Sequence, residues 1–176
     1  MASKKEMAGA KPGRPYARRK VIAWHYTTGI HFQRIDNDGE LRPIPTNGAP
    51  PEERPVIWFS TEAHWEPTAS KAWRNSDGTI RTLSMTETFE RGQGLWRIGV
   101  DPDVTTLHDF DDFMRLSGIP EQQARGLKRV GRDQGANPRR WFVSFEPIPR
   151  YRWAALERYD GSKWTTEAPK SQSSSR

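Results

Sequence analysis

The chain has 176 residues and no cysteine, with 28 Lys or Arg against 22 Asp or Glu, a net charge of +6 and an apolar fraction of 34%. The absence of cysteine excludes a disulfide scaffold, a Cys-ligated zinc site and a Cys nucleophile. No apolar run is long enough to span a bilayer, and residues 1–20 lack the apolar core of a secretory signal, so a cytoplasmic chain is expected.

The charge is unevenly placed. Residues 1–20 hold seven basic groups (Lys4, Lys5, Lys11, Arg14, Arg18, Arg19, Lys20) and one acid, Glu6, which is the whole net charge. Residues 21–167 carry 19 basic groups against 21 acids. Expected, then, are a disordered basic arm over 1–20, one domain over 21–167 and a disordered tail over 168–176. The arm reads equally well as a solubilising leader and as a phosphate contact. The domain holds eight tryptophans. Each buries on the order of 200 Å², so a core is feasible despite few Leu and Ile.

In chain order, Val21–Tyr26 is an apolar, β-branched and aromatic run, hence a strand. A helix follows from Thr27-Thr28-Gly29 to the stop signal Asn37-Asp38-Gly39, and Glu40–Pro43 is a short edge segment. Five prolines in 43–55 predict an extended, exposed loop. Val56–Phe59 is a buried strand, Ser60–Pro67 a polar loop, and Thr68–Trp73 one or two helical turns. Residues 74–94 are polar, with a weak strand at Thr79–Ser84, and Arg91–Gly94 is a turn. Leu95–Val100 is a strand, and Thr106–Leu116 and Pro120–Arg132 are helices. Trp141–Phe145 is a strand with Glu146 at its end. Trp153–Tyr159 and Lys163–Thr166 form a hairpin around Asp160-Gly161-Ser162. The class is α+β.

Three polar clusters fall at strand ends: His25-Tyr26-Thr27-Thr28, Ser60-Thr61 and Ser144-Phe145-Glu146. Adjacent strands would bring an imidazole, two hydroxyls and a carboxylate to one cleft. No G-x-S-x-G elbow, Walker A loop or G-x-G-x-x-G loop is present. His25, His31, His64 and His108 form no metal-ligand pair, so no metal is expected.

A strand ending in H-Y-T, a helix running into I-x-x-x-G-x-L-x-P (Ile35 to Pro43), a strand ending in W-F-S-T and a late strand ending in Glu together resemble the ADP-ribosyltransferase superfamily. Within it, the first motif is similar to that of the DNA-targeting ADP-ribosyltransferase toxins. RNA 2'-phosphotransferases share the general fold and a similar first motif. The resemblance implies a split, mainly antiparallel sheet with NAD, as substrate, lying across it. It implies His25 on a ribose hydroxyl and Tyr26 and Thr27 beside the nicotinamide amide. Ser60 and Thr61 would shore up a catalytic Glu. Glu146 is matched to that Glu, stabilising the oxocarbenium-like transition state, with Glu157 as rival. Trp65 or Trp73 would stack on the nicotinamide, and Arg42, Arg54 or Arg74 would hold the pyrophosphate. The expected function is ADP-ribosyl transfer from NAD to a macromolecular acceptor. The alternatives are an RNA 2'-phosphotransferase, or a catalytically silent protein or nucleic-acid binding module that uses the basic arm.

Overall fold

The structure is a computed structural model that describes residues 21–45 and 50–168. The basic arm, residues 46–49 of the proline loop and 169–176 of the tail lie outside the described residues. Among the described residues no helix is long and apolar enough to cross a membrane.

Eleven strands and four α-helices follow one another along the described chain. The strands are β1 (Ala23–Thr28), β2 (Glu40–Leu41), β3 (Ile57–Ser60), β4 (Ala72–Arg74), β5 (Ile80–Thr82), β6 (Leu95–Val100), β7 (His108–Asp109), β8 (Trp141–Ser144), β9 (Ile148–Pro149), β10 (Trp153–Tyr159) and β11 (Trp164–Thr166). The helices are α1 (Gly29–Asp38), α2 (Met85–Arg91), α3 (Phe110–Leu116) and α4 (Glu121–Asp133). Seven strands form one sheet in the order β11-β10-β6-β1-β3-β8-β7, and every pairing in it is antiparallel. The fold is α+β, as the sequence predicts.

Side chains alternate across the sheet, and each face carries its own core. On one face Ala23, Ile57, Phe59, Ile98 and Val100 pack with Phe32 of α1, Leu41 and Ile148. On the other, Trp141 and Val143 pack with Phe110 and Phe113 of α3, Ile119, and Ala124 of α4. The sheet is nearly divided in the middle. β1 pairs with β6 over six residues and β3 with β8 over four, yet β1 and β3 share the single pair Trp24 and Ser60.

The local chemistry explains most element ends. Gly39 adopts the left-handed conformation (φ 70°) and its N–H bonds Ile35 O, closing α1. Asp109 caps α3 by accepting from the N–H groups of Asp111 and Asp112, so this helix starts four residues later than the pattern from Thr106 predicts. His108 and Asp109 instead pair with β8. Residues 68–73 are not helical turns beyond a 3-10 turn at Pro67–Ala69. From Ala72 the chain forms the β4–β5 hairpin, in which Trp73 and Ile80 are exposed. Helix α2, unforeseen in the polar stretch 74–94, has a full capping box between Ser84 and Glu87. The proline loop is not uniformly exposed, for Glu53 is buried and Ile44 bridges to Val56.

Candidate functional site

A pocket of about 320 Å³ opens where β1 and β3 part. β1 contributes Trp24, His25 and Tyr26, and β3 contributes Trp58, Phe59 and Ser60. Glu66, Thr68 and Ala69 close one side, and Trp141 with Leu127, Val130, Gly131 and Gln134 of α4 forms another wall. Gly131 is required where it stands, because a Cβ there would lie 2.2 Å from Trp141 Cη2. The volume is at the lower end of the range for small-molecule sites, enough for a ring-sized group and its immediate neighbours.

His25 belongs to the split itself. Where the two strands part, His25 Nδ1 lies 3.0 Å from the Trp58 carbonyl oxygen. A carbonyl only accepts, so Nδ1 carries the proton. Burial pushes the imidazole pKa down to about 4, against the pull of that hydrogen bond, and the nearby charges of Lys71 and His31 depress it further. The ring is therefore neutral at pH 7 and Nε2 presents a bare lone pair.

The pocket's carboxylate is Glu66, which is 6% exposed. Ser60 Oγ donates to its Oε2 at 2.7 Å. Thr68 donates to Oε1 from its hydroxyl at 2.8 Å and from its N–H at 3.3 Å. A carboxylate offers about four acceptor sites, so these three bonds leave one unspent. Ser60 Oγ in turn accepts from Glu62 N–H at 3.1 Å, which fixes the direction of its own proton.

The loop between Ser60 and Glu66 is held from below by three strands. Tyr26 Oη donates to Glu62 O at 2.5 Å, Arg97 Nη1 donates to Ala63 O, and Trp164 Nε1 donates to His64 O at 2.8 Å. Consecutive carbonyls thus take donors from β1, β6 and β11. Arg140 also reaches the Glu62 carboxylate. Arg97 is 7% exposed. Its guanidinium lies 4.0 Å from the Trp24 ring centroid and 4.5 Å from that of Trp164, and it binds Glu157 at 2.5 Å. Burial pushes the Tyr26 phenol up to about 12, with Arg97 opposing, so the phenol remains a donor over the neutral range.

The sequence-derived candidates divide accordingly. His25, Tyr26 and Ser60 line the pocket. Thr27 is buried in β1 opposite Trp96 of β6, outside the lining. Thr61 is tied to the backbone through its N–H to Arg140 O at 3.0 Å. Trp65 sits behind Tyr26, edge-on at 5.3 Å, and donates to Ser70 Oγ. Glu146 stands apart: Ser60 pairs with Trp141 at one end of β8, while Ser144 pairs with Ile57 at the other. Glu146 follows that far end, exposed, with its own N–H and carbonyl bonded to Ser144 Oγ. Glu157 is occupied by Arg97. Arg42 pairs with Glu40, Arg54 lies over the Phe145 ring and Arg74 reaches Gly78 O, so none of the three lines the pocket. Trp73 carries Arg91 on its face.

Residue patterning missed Glu66, Thr68, Trp58, Trp141 and the α4 wall. One signal was present for Glu66. A Glu-Pro-Thr turn six residues after a strand-terminal Ser puts a carboxylate at a helix-type N-cap with Pro behind it, where it stays next to the strand end. Comparison with protein-family models, with curated proteins and with solved structures gives no match for this chain.

Proposed function

We propose that the chain transfers ADP-ribose from NAD to an acceptor, with the nicotinamide and its ribose in the pocket between β1 and β3. The observation that carries this reading is the pairing of His25 with the Ser60–Glu66 couple across an aromatic-walled split. Trp24, Tyr26, Trp58 and Trp141 offer flat apolar surface to a ring. His25 Nε2, unprotonated at pH 7, accepts a hydrogen bond from a ribose hydroxyl. The pocket volume suits the nicotinamide riboside end and leaves the remainder of the dinucleotide outside the mouth.

In the reaction the bond between ribose C1' and the nicotinamide nitrogen breaks, and its electron pair leaves with nicotinamide. Positive charge develops on the ribose. A preorganised carboxylate beside it lowers the barrier. Glu66 takes that role in preference to Glu146, because Glu66 lines the pocket and Glu146 lies beyond the opposite end of β8. The acceptor's nucleophilic atom then bonds to C1' and its proton passes to a base, for which the free acceptor site of Glu66 is positioned. Neutral His25 and the three-donor clamp on residues 62–64 supply rigidity rather than charge.

The test is titration calorimetry with NAD, followed by incubation with NAD labelled in its ADP-ribose moiety and protein, DNA and RNA acceptors. Heat of binding and covalent label on one acceptor class are expected. Absence of binding, of nicotinamide release and of label overturns the proposal.

A further inference from the structure

Helix α4 carries a second, basic face. Leu127, Val130, Gly131 and Gln134 turn toward the pocket. At about 100° per residue, Arg125, Lys128, Arg129 and Arg132 fall within an arc of about 100° on the opposite side. Arg139, in the turn after the helix, is exposed and lines one cavity with Lys128 and Arg132. That cavity, of about 630 Å³, lies between the start of α3 and the end of α4 and is also lined by Asn137, Asp109 and Asp111.

Four of the acids nearby are already engaged, whereas Asp133 at the end of α4 is exposed. Asp109 accepts from the first N–H groups of α3. Asp111 takes Lys128 at 2.9 Å, Glu121 takes Arg125 at 2.6 Å and Glu62 takes Arg140. Arg129, Arg132 and Arg139 have no acidic partner among the described residues. The segment 121–140 holds six cations against two carboxylates, Glu121 and Asp133, whereas the rest of 21–167 holds thirteen cations against nineteen carboxylates. An ordinary solvated helix face alternates its signs. This one reverses the sign of an otherwise acidic domain, and it uses arginine, whose planar fork fits phosphate oxygens.

We propose that the outer face of α4, with Arg139 and the adjoining cavity, is a docking surface for the phosphate backbone of a nucleic-acid strand. The surface belongs to the folded domain, separate from the basic arm, and does not depend on the chemistry assigned to the pocket. Arg129, Arg132 and Arg139 are the free contacts, and the Asn137 amide adds a neutral donor.

The experiment measures fluorescence anisotropy of a labelled twenty-nucleotide single strand with the full chain over a salt series. It compares wild type, the Arg129→Gln/Arg132→Gln/Arg139→Gln variant and a chain lacking residues 1–20, each checked for folding by circular dichroism. Three lost phosphate contacts lower the salt slope by about 2 and weaken binding roughly 100-fold at 0.1 M salt. The arm deletion is expected to keep the slope contributed by the α4 face. Glu66→Gln, which removes the pocket's charge, is expected to bind the strand like wild type, so loss of the pocket reading leaves this one standing. The proposal is overturned if the triple variant keeps wild-type affinity and slope, if wild type binds no strand, or if polyaspartate displaces the strand at equal charge concentration, which would identify an acidic protein as the better partner.

Discussion

Two aromatic, charge-bearing clusters lie side by side in this domain, and they are opposites. Around Arg97 the donors named above are committed: Glu157, Ala63 O and Tyr26 take hydrogen bonds, and the guanidinium lies over the rings of Trp24 and Trp164. In the pocket a step away, His25 keeps Nε2 free and Glu66 keeps one acceptor site. The residue types are alike, and what separates a brace from a site is which valences remain unspent. The brace also serves the site, because it fixes the carbonyls of residues 62–64 that lead into Glu66.

The largest expected effect breaks the brace. Arg97→Met removes one partner of a buried ion pair and leaves Glu157 uncompensated. The loss is expected to be about 3–5 kcal/mol in urea unfolding. Adding Glu157→Leu is expected to recover part of it, because both charges are then gone. Full additivity of the two substitutions would show that the pair is not coupled.

Next in size is the pH response of the pocket. His25 has a folded pKa of about 4 against an ordinary value of 6.5. Above pH 6.5 the ring is neutral in both folded and unfolded chains, and the group contributes nothing to pH dependence. As pH falls from 6.5 to 4, the unfolded chain takes up the proton first and stability declines. The decline attributable to this group is roughly 2–3 kcal/mol. His25→Gln is expected to flatten this part of the stability profile, and an unchanged profile would remove His25 from the account. The smallest effect is at Glu146. Glu146→Gln is expected to change stability by no more than about 0.5 kcal/mol and to leave ligand binding as it was. A large loss of binding would return the catalytic role to Glu146.

Much of the architecture was legible because period and punctuation agree with packing. The runs 21–26, 95–100, 141–145 and 153–159 each carry enough β-branched and aromatic residues to be strands, and each contains one, although β1 is shifted to Ala23–Thr28, taking in Thr27 and Thr28 that the pattern gives to the helix, and β8 ends at Ser144. Glycine 39 and proline 120 mark helix ends that the structure keeps. Where local signals are short, neighbours decided. Residues 72–74 are a strand because they pair with 80–82. Helix α2 is a seven-residue segment, read from the sequence only as polar, that the Ser84–Glu87 capping box closes at its start. His25, Tyr26 and Ser60 were readable as strand-end polar residues, and the pocket gathers them. The carboxylate was not readable in the same way. Which end of β8 meets Ser60 depends on strand direction and register, and a sequence pattern of period two contains neither. Glu66 is drawn inward by Ser60 and Thr68, contacts that exist only once the loop has folded back over the strand end.

Release of nicotinamide from NAD by wild type and by the Glu66→Gln variant, each shown to be folded and each titrated with NAD, tests the central claim most directly. The account expects measurable release by wild type, a fall of about 100- to 1,000-fold in the variant, and NAD affinity changed only severalfold, since the carboxylate acts on charge that develops in the transition state. Equal release by the two proteins, or failure of wild type to bind NAD, would contradict it.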